Sequence, residues 1–300
     1  MLSSADSVNR QEVHLVLNPA AGRGKASSCR GEVSRFLSSR GLQPVWHVSG
    51  FPGEATSIAA GLPDRSVVVA VGGDGTVREV ASACVGTGKV LGVLPAGSGN
   101  DYVKALGVGT GMRRALETIV AGRVSPVDAG EVNGAVFING VGIGFDAEVA
   151  AGVVKAPGWL GGSGRYAYSV LRLLAGFTCH EVTLRLDGER EIRTKTILVA
   201  IALGTTYGAR FRLAPLARLD DGLFDVVFSS EISRGEVLRL VPSALRGTFL
   251  KHPKAHLERA REVEVEMQHY VPAHADGELL DPTLAYRVRI LPDALHVLRP

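Results

Sequence analysis

Val67-Val68-Val69-Ala70-Val71-Gly72-Gly73-Asp74-Gly75-Thr76 sets an unbroken apolar run directly against a glycine-rich turn. Such a run, bounded by a turn and rich in β-branched residues, predicts a strand buried on both faces. Val77, Val80, Ala81 and Cys84 then fall at helical spacing, so a helix is expected from Thr76. Three glycines let backbone N–H groups come close to a ligand, and the helix N-terminus beyond them favours an anion. Asp74 would repel a bare phosphate, which leaves it two roles: acting through Mg²⁺ or orienting loop amides. A plain strand-to-helix turn capped by Thr76 explains the same residues, so the other loops must decide.

Two more loops have the same construction. Asn18-Pro19-Ala20-Ala21-Gly22-Arg23-Gly24-Lys25 follows an apolar run over 13–17 and precedes a helical stripe over 26–40, carried by Cys29, Val33, Phe36 and Leu37. Pro95-Ala96-Gly97-Ser98-Gly99-Asn100-Asp101 follows a strand over 89–94 and precedes helical patterns at 101–106 and 112–121. Residues 44–48 read as a further strand and 53–60 as a helix. Strands alternating with helices imply an α/β fold with a parallel sheet covered on both faces. In an open parallel sheet all three loops lie at the carboxyl edge, where ligands bind. With Arg23, Lys25 and Arg78 nearby, that edge suits a polyphosphate.

Past residue 123 the period changes. Val182, Leu184 and Leu186 alternate with polar residues, as do Val263, Val265 and Met267 against Glu264 and Glu266. Strands are also expected at 197–203 and 224–228, with helical stretches at 164–175 and at 236–250, the latter interrupted by Pro242. Alternation of this kind predicts an antiparallel, partly exposed sheet system. The domain change is placed near residue 124, giving a first domain over 1–123 and a second from 124.

Composition narrows the class. The chain has 300 residues, 46% apolar and 21% charged, as expected of a globular enzyme and not of a disordered or collagen-like chain. Its net charge of +3 is too small to argue for nucleic acid. Cys29, Cys84 and Cys179 are scattered and show no CxxC, so the expectation is a reducing, cytoplasmic setting. MLSSADSVNR lacks the basic-then-apolar order of a signal peptide, and the longest uncharged run, 196–209, is too short to span a bilayer.

Other readings of these motifs fall away. Gly24-Lys25 and Gly88-Lys89 lack the upstream Gly and downstream Ser/Thr of a P-loop, and the protein-kinase motif set is absent. Gly142-Ile143-Gly144-Phe145-Asp146-Ala147 matches GxGxxA without the rest of a dinucleotide unit. No HExxH occurs, and Pro253 separates His252 from His256. Asp220-Asp221-Gly222 and Asp276-Gly277-Glu278 would each serve as simple hairpin turns.

VGGDGTVREV, LPAGSGNDYVKALG, NPAAGRGK, FINGVGIGFDA, LDDGLFDV and HADGE together resemble the soluble bacterial diacylglycerol kinase and lipid kinase family, related to sphingosine and ceramide kinases. The resemblance runs from Val13 to the C-terminus. GGDGT alone is shared with NAD kinases and phosphofructokinases, whereas GSGND followed by LDDG and DGE is far more specific. The resemblance implies an N-terminal nucleotide-binding α/β domain and a C-terminal β-sandwich-like domain over 124–286, with 287–300 returning to the first. It implies that Asn18, Pro19, Ala20, Ala21 and Gly22, together with Gly72, Gly73, Asp74, Gly75, Thr76, Val77 and Arg78, line ATP. Ser49 and Ser98 add hydroxyl contacts where relatives often carry Thr. Asp74, Asp101 and Asp128 would organise a catalytic Mg²⁺. Asp221 with the carbonyls of Arg218 and Leu223 would hold a structural Mg²⁺, and Asp276 and Glu278 would flank the acceptor hydroxyl as base candidates. Arg23 stands in place of the family's common Lys.

The expected function is therefore ATP-dependent phosphorylation of a lipid hydroxyl such as that of diacylglycerol. The alternatives are a NAD-kinase-like transferase with a soluble acceptor and a non-catalytic sensing relative. If residues 276–278 are extended, both carboxylates fall on one face. The expected partner is a lipid at the inner membrane surface, with no nucleic acid; a homodimer is left open. Val153, Val154, Trp159, Leu160, Tyr166 and Tyr168 among Lys155, Arg165 and Arg172 suit a membrane surface, or else simply a core.

Overall fold

The computed structural model describes residues 9–145, 147–149, 152, 157, 168, 169, 172, 178–206 and 211–300. The helix expected at 164–175 and the aromatic and basic stretch at 153–174 fall almost wholly outside them. The chain divides into two units, Met1–Ala129 with Leu291–Pro300, and Gly130–Ile290.

The first unit is the expected α/β layer. In chain order it contains β1 (Asn9–Leu17), α1 (Lys25–Ser28), α2 (Arg30–Ser38), β2 (Gln43–Val48), α3 (Glu54–Ala60), β3 (Ser66–Gly72), α4 (Asp74–Cys84), β4 (Val90–Pro95), α5 (Asp101–Ala105) and α6 (Met112–Ala121). β5 (Val124–Val132) leaves it, and the end of β16 (Ala285–Leu298) returns to it. The strands run in the order β2-β1-β3-β4-β16, with parallel pairing at each step. Every residue of β3 is buried, as the apolar run demands. α4 turns Val77, Val80, Ala81 and Cys84 inward, and α6 turns Ala115, Leu116 and Ile119 inward. Their regular spacing gives each helix one apolar stripe to lay on the sheet.

Two details differ from expectation. The stripe at 26–40 is two helices, interrupted at Cys29, whose backbone is still right-handed helical and whose carbonyl accepts the Val33 N–H. Thr76 is not the N-cap of α4: the helix starts at Asp74, with extended Gly73 as its cap. The Thr76 hydroxyl instead accepts a bond from Asn18 Nδ2 at 3.2 Å.

The second unit is antiparallel. One sheet has the order β12-β11-β10-β7-β14-β15, from β12 (Ala255–Ala260), β11 (Phe224–Ser229), β10 (Leu198–Ala202), β7 (Gly140–Gly144), β14 (Ala273–Ala275) and β15 (Glu278–Leu279). A second run pairs the start of β16 with β13 (Glu262–Met267), then β8 (His180–Leu186) and β9 (Arg190–Thr196). Val182, Leu184 and Leu186 point inward while their neighbours stay partly exposed, the alternation read in the sequence. A short β6 (Ala135–Phe137) pairs with β5.

α7 (Arg234–Arg246) runs straight through Pro242 instead of stopping there. The missing proline N–H weakens a helix locally. Against that, Ser233 and Glu236 form a complete capping box, and Val237, Leu240 and Ala244 pack into the core with Leu213, Ala214 and Phe249. Tertiary packing outweighs the local penalty.

Candidate active site

In the first unit the site is a row of loops at the carboxyl edge. Leu17 pairs with Val48 and Val71, and Gly72 with Pro95, so the chain leaves β2, β1, β3 and β4 side by side. Asn18 ties the first loop together: its Oδ1 accepts the Ala20 N–H at 3.0 Å while its Nδ2 reaches Thr76. Two glycine loops meet back to back. A Cβ on Gly97 would come within 2.5 Å of the Gly73 Cα, and a Cβ on Gly72 would collide with the Thr76 side chain. Only glycine fits at either position, which explains the composition of both loops.

Asp74 holds this contact closed. Its Oδ2 accepts the Asn100 N–H at 2.7 Å and its Oδ1 accepts the Asp101 N–H at 2.6 Å. Of its two sequence-derived roles, orienting loop amides is the one visible in the geometry. Asn100, absent from the predicted site, is the other half of the device. It adopts the left-handed conformation at φ 52° and bonds the N–H and carbonyl of Gly97 through its side chain. Asn tolerates that conformation unusually well, which is the signal the motif carried.

The remaining predicted residues occupy varied settings. Ser49 is buried and its hydroxyl donates to the Leu17 carbonyl at 3.3 Å. Ser98 is exposed at its loop tip. Val77 lies in the core, and its N–H already donates to the Gly73 carbonyl at 3.0 Å, so the helix uses both its side chain and its amide. Pro19, Ala21, Gly22, Gly75 and Arg78 are partly exposed and Ala20 is exposed. Asp101 is buried and pairs with Lys104 at 2.9 Å. Asp128 is buried on β5, where it accepts the Asp293 N–H at 3.0 Å and anchors the returning segment.

Among the described residues, no group of three or more His, Cys, Asp or Glu could hold a metal ion. Asp74, Asp101 and Asp128 thus do not form a ready-made cage. The donor set still suits Mg²⁺, a hard cation that keeps waters and takes only one or two carboxylates beside substrate phosphates. Asp74 has accepted one N–H on each oxygen, which leaves a further lone pair on each.

In the second unit, residues 276–278 are not extended. Ala275 pairs with Glu278, and Asp276 and Gly277 between them have φ 51° and 89°. Positive φ at both central residues is the two-residue hairpin turn that Asp-Gly favours. The premise of one shared carboxylate face therefore fails for Asp276 and Glu278. The Asp276 carboxylate accepts the N–H groups of Ile138, Asn139 and Gly140 at 2.8, 2.9 and 2.9 Å. Glu278 is exposed at the start of β15. His274 is buried, and its Nδ1 accepts the Gly277 N–H at 3.2 Å.

The Asp221 loop carries its own cation. Arg259 Nη1 lies 3.6 Å from Asp221 Oδ2, and Arg259 Nε bonds Asp225 Oδ1 at 3.0 Å. Asp221 also accepts the Leu223 N–H at 3.3 Å, while Arg218 pairs with Asp220. Burial raises the Asp225 pKa, with Arg259 opposing the shift. A structural Mg²⁺ at Asp221, Arg218 and Leu223 would have to share the carboxylate with a guanidinium, so the fit there is poor.

Known proteins resemble this chain in sequence and fold. A family profile described as the diacylglycerol kinase catalytic domain matches residues 12–132, and one described as the YegS C-terminal NAD kinase beta sandwich-like domain matches residues 139–299. A diacylglycerol kinase of Mycobacterium tuberculosis (strain CDC 1551 / Oshkosh) is 30% identical over 311 residues, covering 99% of each chain. Among solved structures, a diacylglycerol kinase from Bacillus anthracis str. Sterne has a TM-score of 0.73 at 20% identity, covering 97% of both chains. An NAD kinase from Archaeoglobus fulgidus in complex with ATP has a TM-score of 0.52 at 14% identity, covering 96% of this chain and 93% of that one.

Proposed function

Since this chain belongs to the diacylglycerol kinase family, we propose that it transfers the γ-phosphoryl group of ATP to the free hydroxyl of a lipid such as diacylglycerol. The observation that carries this reading is the Asp74 clamp. It presses two glycine loops together, so that a row of backbone N–H groups at a strand edge can take a polyphosphate. Asp74 and Asp101 would hold Mg²⁺, which would supply positive charge against the negative charge developing on the transferred phosphoryl group.

The chain's own groups do the rest. Asn18 to Gly22 and Gly72 to Thr76 supply the cradle, with Ser98 and Arg78 at its rim. Glu278 is the stronger candidate for the base, because three of the roughly four lone-pair sites on Asp276 already serve the fold. Glu278 takes the hydroxyl proton as the new bond to phosphorus forms and the bond from the γ-phosphorus to ADP breaks, releasing ADP, while Asp276 positions the 138–140 turn. Among the described residues, no helix is long and apolar enough to cross a membrane.

Incubation with radiolabelled ATP and a panel of diacylglycerol, ceramide, sphingosine, undecaprenol and NAD tests the reading. Labelled diacylglycerol or another lipid is expected. Labelling of NAD alone would move the chain to the NAD-kinase-like alternative, and no labelling would favour a sensing role.

A further inference from the structure

We propose that the solvent face of α7, together with the 211–217 segment packed against its C-terminal half, docks onto an anionic lipid surface. The inference rests on the lipid-kinase reading, because it supplies the contact that an enzyme with a membrane-resident acceptor needs.

α7 has two distinct stripes. At 3.6 residues per turn, Val237, Leu240 and Ala244 share the buried side, while Arg239 and Arg246, seven apart, share the exposed side. Leu245 lies on the flank of that exposed stripe and is 41% accessible. The Arg212 N–H donates to the Ala244 carbonyl at 2.9 Å, which fixes a third exposed arginine beside the end of the helix. Leu213, Ala214 and Ala217 pack into the same core as α7, and Leu216 between them stays 69% accessible.

The charges identify the partner. Between residues 211 and 254 the acidic side chains are Asp220, Asp221, Asp225, Glu231 and Glu236. Four of them already face cations: Asp220 pairs with Arg218, Asp221 and Asp225 with Arg259, and Glu236 with Lys254. Arg212, Arg239, Arg246 and Lys251 are all exposed and have no acidic partner among the described residues. Unpaired cations set beside exposed leucines match the two layers of a lipid interface: anionic headgroups for the arginines and the acyl boundary for the leucines.

Flotation of the full chain with phosphatidylglycerol vesicles, and with phosphatidylcholine vesicles as the neutral control, tests the proposal. Binding to the anionic vesicles alone is expected, and it should weaken as salt is raised. Each basic residue near such a surface is worth roughly fivefold in partitioning. The double variant Arg239→Glu/Arg246→Glu should therefore lose tenfold or more, as should Leu216→Ser/Leu245→Ser through its apolar contact. Arg113→Glu, an exposed charge change in the first unit, should bind as wild type does. Wild-type indifference to anionic vesicles overturns the proposal, and so does undiminished binding by both double variants. Phosphorylation of a short-chain, water-dispersed diacylglycerol, run in parallel, separates the two claims. Its absence in the wild type, with every other lipid of the panel also unlabelled, removes the lipid-kinase reading, whereas vesicle binding reports the docking face alone.

Discussion

Asp74 in the first unit and Asp276 in the second perform one operation in two different settings. Each sits in a turn next to glycine and reaches across to bind consecutive backbone N–H groups of a distant segment. Asp74 does so from the first turn of a helix and takes two donors, from Asn100 and Asp101. Asp276 does so from a hairpin turn and takes three, from Ile138, Asn139 and Gly140. The difference lies in what remains. A carboxylate offers about four lone-pair sites, so Asp74 retains about two for a cation while Asp276 retains one at most. Two carboxylates that look equally catalytic in a motif thus divide differently between architecture and chemistry.

The largest expected effect follows from that count. Leaving a buried donor without a partner costs about 1–3 kcal/mol. Ile138, Asn139, Asn100 and Asp101 are all buried, so both carboxylates matter to stability. Asp276→Ala strands three donors and should lose several kcal/mol, a large share of the ~5–15 kcal/mol typical of a domain. Asp74→Ala strands two and should lose less, yet it should abolish turnover through the collapsed loop contact. Glu278→Gln, at an exposed position, should leave the urea midpoint unchanged and reduce kcat by ~10²–10⁴. Urea midpoints measured with kcat and the ATP dissociation constant check all three. Equal destabilisation by both alanine variants would break the comparison, and an active Glu278→Gln would return the base role to Asp276.

A smaller effect is expected where the second unit uses a cation in place of N–H donors. Arg259 faces both Asp221 and the buried Asp225, so Arg259→Met removes charged hydrogen bonding worth about 2 kcal/mol. Burial already raises the folded pKa of Asp225 above its unfolded value. The folded state therefore holds that proton more tightly, and stability should rise as pH falls through the folded pKa towards the unfolded one. The variant, with the opposing guanidinium gone, should recover more of its loss on acidification than the wild type gains. Millimolar Mg²⁺ should raise the variant's Tm and hardly change the wild type's, because the Asp221 and Asp225 carboxylates then lack a cation. Equal Mg²⁺ shifts in both proteins would show that Arg259 does not stand in for a metal.

How much of this the sequence disclosed depended on the range of the interaction. The buried β3 run, the three strand-loop-helix units and the alternation in β8 and β13 were readable, because each is set by residues next to one another. The glycine loops were readable for the same reason. The role of Asp74 was open between two choices because its partners lie 26 and 27 residues away. Those of Asp276 lie 136 to 138 residues away, so the hairpin turn was readable from Asp-Gly while the three N–H groups its carboxylate binds were not. Arg259 gave no local hint of facing Asp221. Pro242 misled in the other direction: the local rule held, but the core beneath α7 outweighed it.

The smallest effect concerns the cap of α7, where a charge and backbone donors act on one side chain. Lys254, bonded at 2.7 and 3.0 Å, is the main cause holding the Glu236 carboxyl down at about 2, and the Ser233 N–H and hydroxyl add to it. A carboxyl whose folded pKa is depressed stabilises the fold fully above its unfolded value of 4.5, and that stability is lost as pH falls towards 2. Glu236→Gln keeps an oxygen for the Ser233 N–H but gives up the charge that Lys254 meets. Wild type should exceed the variant slightly in Tm at neutral pH, and the gap should close between pH 4.5 and 2. Raising the salt at pH 7 should narrow the same gap, since the pair is near the surface and open to screening. A gap that persists unchanged at pH 2 would mean that shape and hydrogen bonding, not charge, hold this cap, which would place it with the N–H clamps of Asp74 and Asp276.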